Sequence, residues 1–232
     1  MEVKSSFEMS KNSIIIAPSI LSADFSHLQK ALKMCDNGGA EYIHIDVMDN
    51  HFVPNLTIGP VVVKSIRSAS QKFFDVHLMV DKPEDFIQPF ADAGADGITF
   101  HVEATDNPGY IIDLIRSANK QIGISLKPNT PISAVEPFLD HIDLLLIMSV
   151  EPGSGGQDYI DGSTSRIKEI HNRLKELGLR EKVLIEVDGG IKLTNAKEVV
   201  DAGADILVAG SAIFCTENPT ESIQKFKSIA MA

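Results

Sequence analysis

The chain has 232 residues, 44% of them hydrophobic and 23% charged, a globular composition that excludes collagen-like, coiled-coil and wholly disordered classes. This length allows one domain or two small ones. Lysine and arginine number 21 against 32 acidic residues, for a formal net charge of −11, so the average surface repels nucleic acid and anionic lipid. An anionic substrate therefore needs a local pocket.

The cysteines and the N-terminus give no sign of export. Cys35 and Cys215 lie far apart without CxxC spacing, and no charged segment precedes an apolar run at the N-terminus. No apolar stretch approaches the roughly 20 residues that span a bilayer. We expect a cytoplasmic protein with no membrane segment, in which residues 1–12 form a loose extension and residues 13–232 a single domain.

Eight apolar, β-branched runs follow in chain order, each short enough for a buried parallel strand. They are Ile14–Ala17, Tyr42–Val47, Phe73–Leu78, Gly97–Phe100, Ile122–Leu126, Leu144–Met148, Val183–Val187 and Ile206–Ala209. The stretches between them have helical periodicity, which predicts helices over Asp24–Met34 and Thr164–Leu177. Gly94 and Gly203 suit the left-handed position at which such helices end.

A Gly-Ala-acid pattern precedes three of these strands, at residues 39–41, 94–96 and 203–205. The repeats begin 55 and 109 positions apart, which corresponds to two and four strand–helix units of about 27 residues. The chain has room for roughly eight such units, so we predict a (β/α)8 TIM barrel. The alternative is an open doubly wound sheet, which the lack of a GxGxxG motif after the first strand disfavours.

Polar side chains stand at the carboxyl ends of three predicted strands, where barrel enzymes carry their functional groups. His44 and Asp46 share one face of the second strand because they are two residues apart. His77 ends the third strand and Asp188 follows the seventh. Two imidazoles and two carboxylates suit Zn²⁺, Fe²⁺, Mn²⁺ or Co²⁺, so the pattern predicts one divalent metal ion without choosing among these.

Two further polar groups lie near these strand ends. Asp75 shares the face of His77 one layer deeper, and we interpret it as a buried ion-pair partner. His101 and Glu103 form a pair after the fourth strand, which we interpret as supporting or structural rather than as metal ligands.

The two strand-end aspartates also indicate a reaction. Because the second and seventh strands stand apart around the ring, Asp46 and Asp188 can approach a bound molecule from opposite sides. Opposed carboxylates can remove a proton from one face of a carbon and return one to the other face, which inverts the centre. A metal bound to the substrate oxygens would stabilise the enediolate formed in between.

Three glycine-rich loops follow the sixth, seventh and eighth strands and predict a phosphate site, because such loops expose backbone N–H groups. Their residues are Gly153, Ser154, Gly155, Gly156, Gly189, Gly190, Gly210 and Ser211. Met48, Met79 and Met148 fall at or just beyond strand ends, where they either fill the core or form an apolar collar around the reacting centre.

Several segments, taken in order, resemble the ribulose-phosphate 3-epimerase family of the pentose phosphate pathway. They are IAPSILSAD at 16–24, HIDVMD at 44–49, HFVPN at 51–55, DVHLMV at 75–80, MSVEPG at 148–153, VDGG at 187–190 and AGSA at 209–212. The resemblance implies a metal-dependent isomerase of carbohydrate metabolism that interconverts D-ribulose 5-phosphate and D-xylulose 5-phosphate at C3. It also implies a homo-oligomer.

The same resemblance implies residue roles. The metal ligands would be His44, Asp46, His77 and Asp188, with Asp46 the proton acceptor and Asp188 the donor in one direction. Ser19, His77 and Asp188 would contact the sugar, the glycine loops would hold its phosphate, and the three methionines would border the reacting centre.

Two positions depart from the family pattern. Asn50 stands where the family has glycine, and asparagine tolerates the left-handed backbone that such a turn needs. Ser154 stands where the family has phenylalanine, which leaves allulose 6-phosphate, one carbon longer, as an alternative substrate. A Schiff-base aldolase using Lys127 and a non-enzymatic sugar-phosphate sensor are the alternatives from other classes.

Overall fold

The computed structural model describes residues 14–230, so the extension predicted over residues 1–12 lies outside the described residues. Eight parallel strands form one sheet: β1 Ile15–Pro18, β2 Tyr42–Met48, β3 Phe73–Met79, β4 Gly97–His101, β5 Gln121–Leu126, β6 Leu144–Met148, β7 Leu184–Asp188 and β8 Ile206–Ala209. Each bound lies within one residue of its prediction, because apolar runs buried on both faces are a local signal.

The sheet curls into a barrel. Its strand order is β1-β8-β7-β6-β5-β4-β3-β2, and a parallel bridge between Ser19 and His44 brings β1 back to β2. The chain is therefore a single-domain (β/α)8 barrel, as predicted, and the open doubly wound sheet is excluded.

Helices surround the barrel. They are α1 Leu28–Gly38, α2 Pro60–Ile66, α3 Ile87–Ala93, α4 Pro108–Ser117, α5 Ser163–Glu176, α6 Ala196–Asp201, α7 Ser211–Phe214 and α8 Pro219–Ala230. Two 3-10 helices, Ile132–Ala134 and Glu136–His141, connect β5 to β6 instead of an α-helix. Pro131 and Pro137 lie in this connection and are suited to short turns rather than to a helix interior. In the part of the chain described, no helix is long and apolar enough to cross a membrane.

The helix predicted over Asp24–Met34 has different bounds. The Asp24 carboxylate accepts a hydrogen bond from Ser26 N–H (2.9 Å) and caps a 3-10 turn, so α1 begins only at Leu28. It continues to Gly38 and ends at Gly39, which has a φ of 78°. Gly94 (φ 106°) and Gly203 (φ 118°) also have left-handed backbone, as predicted.

Alternating residues on each strand fill two compartments. On β2 the even-numbered side chains, including His44 and Asp46, point into the barrel, while Ile43 and Ile45 pack against the surrounding helices. The inner compartment is closed below by apolar residues: Ile15, Ala17, Tyr42, Leu144, Leu146, Ile206 and Val208. This packing leaves the polar groups at the carboxyl ends of the strands.

The Gly-Ala-acid repeats have a structural role at the opposite, N-terminal face. A carboxylate just before each even-numbered strand accepts a hydrogen bond from a backbone N–H at the start of the preceding odd-numbered strand. The pairs are Glu41 with Ile16 (3.1 Å), Asp96 with Phe74 (2.8 Å), Asp143 with Ile122 (2.9 Å) and Asp205 with Ile185 (2.7 Å). Three of these acids also form ion pairs, with Lys227, Arg67 and Arg180 respectively for Glu41, Asp96 and Asp205. The acids of the three repeats, and Asp143 at the corresponding position before β6, thus tie neighbouring strands together at their beginnings.

Candidate active site

The structure brings together the four strand-end residues singled out from the sequence. His44 and Asp46 extend from β2, His77 from β3 and Asp188 from the end of β7. One ligand atom from each lies within 4.8 Å of the others. His44 and His77 are fully buried, and the Asp188 side chain is 17% exposed.

His44 is oriented by a carboxylate on the neighbouring strand. Its Nδ1 lies 2.6 Å from Asp75 Oδ2, so the ring donates there and Nε2 is the nitrogen that faces the cluster. Burial lowers the pKa of His44, but the Asp46 and Asp75 carboxylates outweigh it and raise this pKa well above its usual value. That Nε2 is buried, lies 3.3 Å from Asp46 Oδ1, and has no hydrogen-bond partner within residues 14–230. A buried imidazole nitrogen that faces a carboxylate oxygen and lacks a hydrogen-bond partner fits a cation shared between the two groups.

His77 faces the same space from the next strand. Its Nδ1 lies 3.2 Å from Asp46 Oδ1 and 3.9 Å from Asp188 Oδ2, while its Nε2 lies 2.9 Å from His101 Nε2. Two imidazole nitrogens and two carboxylates thus converge, a donor set that suits a divalent first-row metal. The residues present could therefore hold a metal ion.

The pKa values of Asp46 and Asp188 are shifted in opposite directions by their surroundings. Burial by itself raises the pKa of Asp46, but His44 and His77 outweigh it and hold this pKa well below its usual value. Burial and the neighbouring Asp46 carboxylate raise the pKa of Asp188 to about 6. One carboxylate therefore stays ionised while the other holds a proton more readily, which is the arrangement of an acid–base pair.

A further buried carboxylate, that of Glu186, was not predicted from the sequence. Glu186 is fully buried on β7, two residues before Asp188, and its Oε1 lies 3.5 Å from His44 Nδ1. Burial and the Asp75 carboxylate raise the pKa of Glu186 well above its usual value. The signal was the two-residue spacing to Asp188, the same spacing that relates Asp75 to His77. Asp75 itself is the buried partner that we expected, paired with His44.

An open cavity at the mouth of the barrel adjoins this cluster. Ser19, Asp46 and Asp188 line it, as do the methionines Met48, Met79 and Met148. The methionines are buried, and those on β2 and β3 pack with Val53. Ser19 Oγ donates to Asp46 Oδ2 at 2.6 Å and so orients that carboxylate.

The three glycine-rich loops form the other wall of this cavity, which includes all eight of their candidate residues, Gly153, Ser154, Gly155, Gly156, Gly189, Gly190, Gly210 and Ser211. Glycine is required at 190, where φ is 64° and an added Cβ would lie 2.3 Å from the backbone nitrogen of Tyr159. The loop is held by Ser149, whose hydroxyl donates to Gly189 O at 2.6 Å.

Asn50, Lys127 and the pair His101 and Glu103 were also singled out from the sequence. Asn50 has a φ of 61°, so the asparagine does adopt the left-handed turn. The Lys127 ammonium lies 4.0 Å from the centre of the Phe52 ring, and the cavity lining, taken over the described residues, does not include it. His101 contacts His77, and its Nδ1 lies 3.2 Å from Glu103 Oε2.

Comparison with known proteins adds independent findings. The model of the ribulose-phosphate 3 epimerase family matches residues 15–214. The chain is 44% identical to "Ribulose-phosphate 3-epimerase" of Bacillus subtilis, over 92% of this chain and 98% of that protein. It is 48% identical to the protein of the same name from Synechocystis, over 93% of each. Among solved structures, KGPDC from Streptococcus mutans superposes with a TM-score of 0.72 at 17% identity, covering 94% of this chain and 97% of that one, and supports the fold.

Proposed function

The chain belongs to the ribulose-phosphate 3 epimerase family of enzymes, and from this premise we propose that it interconverts D-ribulose 5-phosphate and D-xylulose 5-phosphate by moving a proton at C3. One observation carries the proposal. Asp46 and Asp188 line the same cavity from β2 and β7, with their pKa values displaced in opposite directions. Such a pair can take a proton from one face of a carbon and deliver one to the other.

Asp46 is the proton acceptor in one direction. Its lowered pKa keeps it ionised near neutral pH, and the Ser19 hydroxyl fixes its orientation. Asp188, whose pKa is about 6, is the donor on the opposite face. In the reverse direction the two residues exchange roles, as reversibility requires.

His44 Nε2, Asp46, His77 Nδ1 and Asp188 would hold one divalent metal ion, with Zn²⁺, Fe²⁺, Mn²⁺ and Co²⁺ all compatible with these ligands. When bound, the ion supplies Lewis-acid chemistry, stabilising the negative charge that builds up on the sugar oxygens as the C3 proton leaves. A carboxylate with so low a pKa is a weak base, so Asp46 by itself would remove the C3 proton slowly.

Backbone groups of the glycine-rich loops hold the phosphate of the substrate, beside Lys192, which also lines the cavity but is paired with Asp158 at 2.8 Å. Loops 153–156, 189–190 and 210–211 line one wall of the cavity, and their N–H groups attract an anion despite the net charge of −11. Met48, Met79 and Met148 border the other end and keep water from the reacting carbon. The sugar then spans the distance between the loops and the two aspartates.

Proton exchange tests the proposal directly. In D₂O, the wild-type chain should incorporate deuterium at C3 of D-ribulose 5-phosphate and form the xylulose isomer, both observable by NMR. Asp46→Asn and Asp188→Asn should abolish product formation, and a chelator should suppress exchange that added divalent metal restores. Asp143→Asn, at the opposite end of the barrel, is the matched control and should retain activity.

Failure would take a clear form. Product formation by Asp46→Asn at the wild-type rate would refute the acid–base assignment. Faster turnover of allulose 6-phosphate than of the pentose would correct the substrate, and trapping of the enzyme by borohydride would instead indicate Schiff-base chemistry.

A further inference from the structure

A chain of hydrogen bonds leads from the His77 ring away from the cavity. His77 Nε2 lies 2.9 Å from His101 Nε2, and His101 Nδ1 lies 3.2 Å from Glu103 Oε2. Both imidazoles are fully buried, and their ring centres are 5.0 Å apart. Neither His101 nor Glu103 belongs to the cavity lining within residues 14–230.

The far end of this chain is firmly anchored. Glu103 Oε1 accepts hydrogen bonds from Lys127 N–H (2.8 Å) and from the Thr130 hydroxyl. The loop that supplies both donors is held in turn by Arg166 on α5, whose guanidinium donates to Pro128 O at 2.8 Å and also to Thr130 O. Glu103 is therefore an acceptor at a fixed position.

The fixed acceptor determines the direction of every hydrogen bond in the chain. An ionised carboxylate only accepts, so the proton between Glu103 and His101 resides on His101 Nδ1. A neutral His101 then accepts at Nε2, which requires His77 to donate from its own Nε2. The lone pair of His77 is thereby confined to Nδ1, the atom that lies 3.2 Å from Asp46 Oδ1.

We propose that Glu103 is a positioning residue which, acting through His101, keeps Nδ1 of His77 free to bind the metal ion. The inference rests on the proposed function in that it takes His77 as a metal ligand, and it extends that function to a residue outside the cavity. Within residues 14–230, Glu103 is not part of the cavity lining, and its link to the metal site runs through the rings of His101 and His77.

Glu103→Gln reverses the chain with almost no change in size. The backbone N–H of Lys127 still requires an acceptor, so the amide oxygen takes the place of Oε1 and the amide NH₂ faces His101 Nδ1. His101 must then accept at Nδ1 and donate from Nε2, which puts the remaining proton of His77 on Nδ1. We expect Zn²⁺ affinity to fall about 10–100-fold, the usual effect of losing such an outer partner.

Thr130→Val is the matched control. It removes a donor to the same carboxylate and disturbs the same loop, but it leaves Glu103 as an acceptor for His101. Its Zn²⁺ affinity should stay close to the wild-type value even if its thermal stability falls as far as that of Glu103→Gln.

Two measurements decide the matter. The Zn²⁺ dissociation constant of each chain is measured by competition with a chromophoric chelator. Long-range ¹H–¹⁵N spectra of the Zn²⁺-loaded wild type report which ring nitrogens carry protons, and we expect Nδ1 of His101 and Nε2 of His77. These spectra need no variant, so they test the inference even if Glu103→Gln does not fold.

The inference is overturned by a proton on Nε2 of His101 in the wild type, by wild-type affinity in Glu103→Gln, or by an equal loss in Thr130→Val. These outcomes are distinct from failure of the proposed function. A wild-type chain that shows the expected spectra and Zn²⁺ affinities but does not exchange the C3 proton would refute the proposed reaction and leave the role of Glu103 intact.

Discussion

Gly190→Ala tests, with a single methyl group, the proposal that the glycine-rich loops bind phosphate. Gly190 combines a φ of 64° with a close backbone approach, since an added Cβ would lie 2.3 Å from the Tyr159 nitrogen. A neighbouring backbone cannot swing aside as a flexible side chain can, so the loop itself must shift. If the loop binds phosphate as proposed, this shift moves its N–H groups away from the anion.

The expected magnitude follows from the interaction lost. A hydrogen bond to a charged group is worth about 1.5–3 kcal/mol, and each 1.4 kcal/mol corresponds to about a tenfold change in binding. One displaced N–H should therefore lower kcat/KM about 10–150-fold, mainly by raising KM, and weaken competitive inhibition by inorganic phosphate to a similar extent. Steady-state kinetics with D-ribulose 5-phosphate and phosphate inhibition measure both.

Gly178→Ala is the control for Gly190→Ala, because it introduces the same left-handed backbone strain without displacing a loop of the cavity. Gly178 has a similar φ of 71° after α5, but an added Cβ there would meet open space. This variant should lose about 1 kcal/mol of stability from left-handed strain while keeping its KM. Wild-type phosphate affinity in folded Gly190→Ala, or an equal rise of KM in Gly178→Ala, would refute the reasoning.

Three further predictions concern stability and reactivity. Asp96→Ala removes the acceptor of the Phe74 N–H and the ion-pair partner of Arg67, which keeps its hydrogen bonds to backbone carbonyls, and should lower the free energy of unfolding by about 1–3 kcal/mol. Asp92→Ala, on the exposed face of α3, should change it by less than about 0.5 kcal/mol in denaturant melts. One thiol, that of exposed Cys215, should react with a thiol reagent in the native chain and two after unfolding, because burial raises the pKa of Cys35 to about 12; rapid modification of both in the native chain would contradict this. In chelator-treated protein the native chain retains a proton on Asp188 up to about pH 6 that the unfolded chain loses near 3.8, so this group's contribution to the free energy of unfolding declines as pH rises from about 4 to 6. Asp188→Asn should flatten that decline in melts at successive pH values, and an unchanged slope would exclude Asp188 as its source.

The architecture was readable from the sequence because its signals are local. A strand buried on both faces is an unbroken apolar run, so eight such runs at barrel spacing predicted β1 to β8 to within a residue. Two-residue alternation placed His44 and Asp46 on one face without knowledge of any neighbour. The same alternation places Glu186 and Asp188 on one face, but a glutamate inside an apolar strand does not by itself predict that its carboxylate faces His44.

The connections were less predictable for a related reason. Periodicity marks a helical segment but does not locate its first and last residues. The structure therefore starts α1 at Leu28, four residues after the predicted start and after the turn capped by Asp24. The spacing of the Gly-Ala-acid repeats predicted the strand–helix unit of the fold, but the repeats did not predict the hydrogen bonds that their own acids make. Their carboxylates accept hydrogen bonds from the N–H groups of adjacent strands. Which strands are adjacent depends on how the sheet closes, so it cannot be predicted from one segment of the sequence.

By itself the sequence determined which residues stand at the mouth of the barrel, since strand ends and facing directions follow from short-range patterns. Only the tertiary structure decided how those residues pair: His44 with Asp75, His77 with His101, and Ser19 with Asp46. Each pair joins different strands, so its distance depends on the register that all eight strands adopt when the barrel closes. The opposite pKa shifts of Asp46 and Asp188 also arise from that closure, because burial and the charges of neighbouring side chains act on these carboxylates only in the folded chain.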